Sequence, residues 1–141
     1  MSVDALRAAL AAEHAAIYGY GVAGAHLTGD TQKAARQAES VHRERRDEVA
    51  LRIQEQGGAL VAAEPAYALP FPVSNDADAK RLAARLEEGT AGAWREALHG
   101  TEDDDRRLAL DALIDCAVMA TRWREAAGIS PLTVPFPGST P

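Results

Sequence analysis

One connection in this chain is far longer than the other two, and it restricts how the rest can fold. Apolar periodicity, caps and glycine stops divide the sequence into four helical segments. The first is expected from about Val3 to Leu27, behind a Ser2 cap and ahead of Gly29-Asp30. The second runs from about Thr31 to Gln56 and stops at Gly57-Gly58. The third starts at Asn75 or Asp76, both good caps, and ends near His99-Gly100; the fourth spans Thr101-Glu102 to Gly128. The first pair and the last pair are separated by only a few residues, so each should form an antiparallel hairpin. Between the pairs lies Gly57 to Ser74. A helix of about 25 residues is roughly 37 Å long, and about a dozen extended residues cover that distance. The segment therefore suits a crossover along the whole bundle, which sets the second and third helices parallel. Its Leu60, Val61, Tyr67, Leu69, Phe71 and Val73 suit packing on a surface better than service as a loose linker.

The expected fold is all-α, a four-helix bundle of two antiparallel helical hairpins joined by one long crossover. Residues 1–141 are read as one domain, with the crossover at about 57–74 and an extended C-terminal tail at about 129–141. Composition agrees: 47% of residues are hydrophobic but only 5% are aromatic, a profile of close-packed helices more than of sheets. A net charge of −6 argues against nucleic acid as a partner. No apolar run approaches the roughly 20 residues of a membrane span, and the N-terminus lacks the pattern of a signal peptide. The expectation is a soluble, cytoplasmic protein. Cys116, the one cysteine, excludes an internal disulfide and multi-thiolate metal sites, and reads as a packed thiol.

The seams of the helices carry unexpected charges. In the first, Leu6, Leu10, Glu13, Ile17, Tyr20, Gly24 and Leu27 alternate steps of three and four, with Glu13 where an apolar residue is expected. In the second, the stripe is Ala35, Glu39, His42, Arg46, Val49 and Ile53, and Glu39-x-x-His42 places a carboxylate and an imidazole one turn apart on one face. In the third, Glu87 shares a face with Ala83, Thr90, Trp94 and Leu98, whereas Glu88 falls with Arg81, Arg85 and Arg95 on the wet side. The step of seven from Glu87 to Trp94 repeats that from Glu13 to Tyr20. The best apolar face of the fourth helix is Leu110, Leu113, Ile114, Ala117 and Thr121.

Other motifs carry less. Gly19-Tyr20-Gly21-Val22-Ala23-Gly24 spells a dinucleotide fingerprint, but inside a helix with no preceding strand, so close helix packing is the better reading. His14, His26 and His99 fit ordinary surface or helix-end roles. Glu102 to Asp105 suits a helix N-terminus, without calcium-loop spacing. The echo of Pro70-Phe71-Pro72 in Pro135-Phe136-Pro137 hints at an internal duplication, and both segments read as apolar straps or as an interface.

The stretch Ala11 to Tyr20 resembles the first helix of ferritin-like and rubrerythrin-like proteins, and Ala38 to Arg43 followed by Gly57-Gly58 resembles their second. The layout of nearly the whole chain is similar to an uncharacterised actinobacterial family of ferritin-like domains. The resemblance implies a carboxylate-bridged iron or manganese centre: a carboxylate on the first and third helices, and Glu-x-x-His on the second and fourth. Glu13, Glu39 and His42 match, and Glu87 is the candidate on the third. The fourth helix departs from the pattern, since it has no histidine; Asp111 and Asp115 lie off its apolar face. Arg46, one turn after His42, is a candidate replacement cation for the metal, or else a surface residue alongside Arg43 and Arg45. Two functions follow from the resemblance: a vestigial ferritin-like domain without bound cofactor, acting through its surface as a homodimer, or a di-iron or di-manganese oxidoreductase or iron-handling protein.

Overall fold

The computed structural model describes residues 2–139. Helices α1 (Ser2–Ala25), α2 (Gly29–Glu55), α3 (Asp76–His99) and α4 (Asp103–Ala127) form an all-α four-helix bundle. The boundaries follow local chemistry. Asn75 Oδ1 accepts from the Asp78 amide at 2.8 Å and caps α3. Gly128, in the left-handed region at φ 71°, closes α4, with the Ile129 amide returning to the Arg124 carbonyl.

Helix α1 packs against α2 and α3, and α3 packs against α4. Cross-contacts fix the directions. Glu13 reaches Trp94 while Tyr20 reaches Glu87, so α1 and α3 are antiparallel and α2 and α3 run the same way. The crossover climbs the outside of α1 as its length requires. Arg7 Nε donates to the Ala59 carbonyl, His14 pairs with the Val61 carbonyl, and Tyr67 leans on Tyr18. Leu69, Phe71 and Val73 then pack on the end of the core around Leu27 and Leu82.

The two proline segments differ. Phe71 is half-buried under Arg81, but Phe136 is 68% exposed, and the C-terminal tail is tied down through backbone atoms: Arg95 donates to the Phe136 carbonyl and Arg124 to that of Pro131. The last two residues of the expected tail, Thr140 and Pro141, lie outside the described residues.

Helix α4 turns a different face inward from the one its large aliphatics suggest. Ala109, Ala112, Cys116, Ala120 and Trp123 are buried, while Leu110, Ile114 and Val118 are exposed. The reason is volume. Trp94, Tyr20, His42 and Arg45 already fill the middle of the bundle, and a close-packed interior leaves room there only for small side chains. Gly19 meets the same demand on α1: a Cβ there would stand 2.5 Å from Leu86 Cδ2 of α3. The fingerprint-like glycines thus lie within a helix, and the first of them admits a neighbouring side chain.

Candidate functional site

Halfway along the bundle the seams of α1, α2 and α3 bring three ionisable groups into the dry interior. Glu13 and Glu87 are at most 1% exposed, and His42 2%. Such groups are tolerated only when their charges and hydrogen bonds are matched. The matching is almost complete. His42 Nδ1 donates to Glu13 Oε2 at 2.5 Å, and Nε2 donates to Glu87 Oε2 at 2.9 Å. Glu13 Oε1 accepts from Trp94 Nε1 at 2.9 Å and Arg45 Nη1 at 3.3 Å. Tyr20 Oη donates to Glu87 Oε2. Arg45 continues outward to Asp115 at 3.2 Å and to Cys116 Sγ at 3.6 Å.

The electrostatics follow from this wiring. Burial by itself would lower the His42 pKa, but the two carboxylates outweigh it and raise it to about 9, so the ring is an imidazolium at neutral pH. Burial opposes ionisation of Glu13, yet His42, Arg45 and Trp94 hold its carboxyl below the usual range. Burial and the adjacent Glu87 charge push Tyr20 and Cys116 well up, keeping phenol and thiol protonated. Two carboxylates therefore face one imidazolium and one guanidinium, and the inner cluster is neutral.

Of the residues expected from sequence, Glu13, His42 and Glu87 meet and Glu39 does not. Glu39 lies on the flank of α2, bound to Arg43 at 2.6 Å across one turn. Arg46 is likewise displaced: it pairs with its neighbour Asp47 at the surface, and Arg45 is the cation that enters. Both corrections have one cause. The buried stripe of α2 is Ala35, Ala38, His42, Arg45, Val49 and Ile53, which shifts by one residue on either side of His42. Glu88 is held by Arg124 from α4 at 2.6 Å, at the edge of the bundle.

Sequence reasoning also missed an internal register. Glu13 and Glu87, Tyr20 and Trp94, and His42 and Cys116 each stand 74 positions apart, and all six are buried. Ala9 and Ala83, Ala35 and Ala109, and Ala38 and Ala112 repeat the pattern. The step of seven shared by Glu13–Tyr20 and Glu87–Trp94 was its visible trace. In this register Cys116 occupies the place equivalent to His42, and Leu113 that of Glu39.

The donor set does not fit a dinuclear metal centre. Such a centre asks for an imidazole nitrogen on each cation and for several bridging carboxylates. Here a single imidazole points both nitrogens at carboxylate oxygens, the equivalent place on α4 is a protonated thiol, and a permanent cation touches Glu13. Among the described residues, no three His, Cys, Asp or Glu side chains are arranged to hold a metal ion. No described helix is long and apolar enough to cross a membrane.

The chain is similar in structure to a conserved hypothetical protein, rv2844, from Mycobacterium tuberculosis. The two are 43% identical with a TM-score of 0.85, over 89% of this chain and 96% of that one. No curated protein matches. Residues 5–141 match the Domain of unknown function (DUF4439), and with nearly its whole length inside that match the chain belongs to this uncharacterised family.

Proposed function

We propose that this chain is a ferritin-like domain with a vestigial di-iron site, a non-catalytic module whose buried cluster stabilises the bundle and whose surface does the work. The observation that carries this reading is the placement of Arg45. Its guanidinium lies against Glu13, where a metal-binding relative would need a second positive centre, and with His42 it balances both carboxylates. A charge-matched cluster of this kind has little to gain from taking up two divalent cations, whose positive charge would be left uncompensated.

Its partner is a second copy of the chain. Leu110, Ile114 and Val118 are 45%, 52% and 46% exposed and recur at every fourth position of α4. Such a stripe is self-complementary about a two-fold axis through Ile114, with Leu110 meeting the Val118 of the other copy.

The test is elemental analysis of protein from culture supplemented with iron and manganese. The expected content is far below one equivalent of either metal. About two equivalents per chain, with a carboxylate-bridged absorption band, would overturn the reading in favour of an oxidoreductase or iron-handling protein.

A further inference from the structure

We propose that the C-terminal segment from Pro131 to Phe136 is a second element of the self-association surface, with Phe136 as its anchor against another copy of the chain. This rests on the α4 pairing proposed above and adds a separate part to it. The fold uses its two similar proline segments differently. Pro70-Phe71-Pro72 is a strap: Phe71 is half-buried, with the Arg81 guanidinium 4.5 Å from its ring centre, and packs on the core around Leu82. Pro135-Phe136-Pro137 holds its ring out to solvent instead. Every residue from Pro131 to Phe136 is exposed, and Leu132, Val134 and Phe136 are so by 44%, 39% and 68%.

Exposed apolar side chains near a terminus usually go with loose backbone, but this backbone is held. Arg124 Nη1 donates to the Pro131 carbonyl at 2.8 Å, and Arg95 Nη1 to the Phe136 carbonyl at 3.4 Å. Gly138, at φ 83°, lies so close to α3 that a Cβ there would stand 2.8 Å from the Ala91 carbonyl oxygen. Fixed backbone with uncovered apolar side chains is pre-organised for a partner, because little ordering is left to be done on binding.

Area and charge both point to a second copy as that partner. A stable self-interface covers about 800 Å² on each side, drawn from about 20–30 residues. Leu110, Ile114 and Val118 are too few for this by themselves. Val118 shares a groove with Leu132 and Val134, so the edge of the α4 stripe continues onto the tail, which supplies adjoining apolar surface. Antiparallel pairing of α4 about Ile114 also sets Arg107 of one copy within a turn of Glu125 of the other, twice by symmetry. Both are exposed, and neither has an ion-pair partner among the described residues of its own chain.

Sedimentation equilibrium on the full chain and its variants tests this. Phe136→Ser should weaken the dimer at least about tenfold, the effect of uncovering one aromatic ring at an interface. The double change Leu132→Ser with Val134→Ser should weaken it by a similar factor. Leu51→Ser, a comparable loss at a residue 55% exposed on the outer side of α2, should leave dissociation unchanged. With p-benzoylphenylalanine in place of Phe136, irradiation should yield a product of twice the chain mass. The proposal is overturned if Phe136→Ser dimerises as tightly as the natural chain while Ile114→Glu does not, a result that leaves the α4 stripe standing alone. It is also overturned if Phe136→Ser lowers the thermal midpoint without changing dissociation, as for a second strap. A natural chain that stays monomeric at high concentration removes tail and stripe together.

Discussion

The indole Nε1 of Trp94 on α3 donates to Glu13 Oε1 of α1 at 2.9 Å, and Tyr20 of α1 returns the contact by donating to Glu87 of α3. Two antiparallel helices thus exchange one donor each, because the step of seven that separates acid from aromatic is the same in both. Trp94→Phe or Tyr20→Phe removes a hydrogen bond to a buried carboxylate, and each should cost about 1.5–3 kcal/mol. The double variant should depart from additivity, since both acids share His42. Urea denaturation of the four proteins measures this. Losses below about 0.5 kcal/mol would mean that the exchange contributes nothing to stability.

Arg45 and Arg46 are neighbours in sequence with opposite fates. Replacing Arg45 by Met leaves Glu13 and Glu87 with one buried cation between them and should destabilise by about 3–5 kcal/mol. Arg46→Met should change stability by no more than about 0.5 kcal/mol. Glu39→Ala should behave like Arg46→Met, because an exposed pair one turn apart is worth about 0.3–0.5 kcal/mol. Glu13→Gln, placed in the Arg45→Met background, should recover part of the loss. Reversed effects at positions 45 and 46 would return the α2 register to the one expected from sequence.

The imidazolium sets a pH dependence with a definite sign. The folded pKa of His42 is raised from an unfolded value near 6.5 to about 9. Its contribution is complete below the unfolded value and declines as pH rises toward 9. The full effect is on the order of 3 kcal/mol. Glu13 acts in the opposite sense: its lowered pKa stabilises the fold above the unfolded value near 4.5, and that support fades as pH falls below it. Denaturation midpoints between pH 6.5 and 9.5, for the natural chain and His42→Gln, isolate the histidine. Direct titration of the His42 ring by NMR should place its midpoint nearer 9 than 6.5.

The apolar stripe on α4 makes a prediction about assembly. Ile114→Glu should convert a dimer into a monomer without loss of folding, since the residue is 52% exposed. Light scattering coupled to size exclusion reads the mass directly. A natural chain that remains monomeric at high concentration would remove the stripe as a self-interface.

How much of this was legible beforehand differs from helix to helix. The length of the crossover and the glycine stops determined the hairpins and their directions, because chain geometry leaves few other solutions. Glu13, His42 and Glu87 could be found because each is a charge on an otherwise apolar seam. Glu39 and Arg46 could not be excluded by spacing, because steps of three and four both suit a helix and only the neighbours decide between them. Helix α4 misled for a related reason. Periodicity follows hydrophobicity, whereas the position of α4 was decided by the space that Trp94, Tyr20, His42 and Arg45 left over. Its inward face is therefore the alanine face.

The register of 74 reaches beyond the polar cluster. A half-length ancestor able to pair with its own twin would have presented each acid twice and each ring twice, with any imidazole mirrored as well. Within one polypeptide the halves carry no such obligation. One side holds a histidine where the other holds a thiol, and an arginine enters once, with no reflection to clash with. Asymmetry in the interior is thus a freedom that only the joined chain possesses.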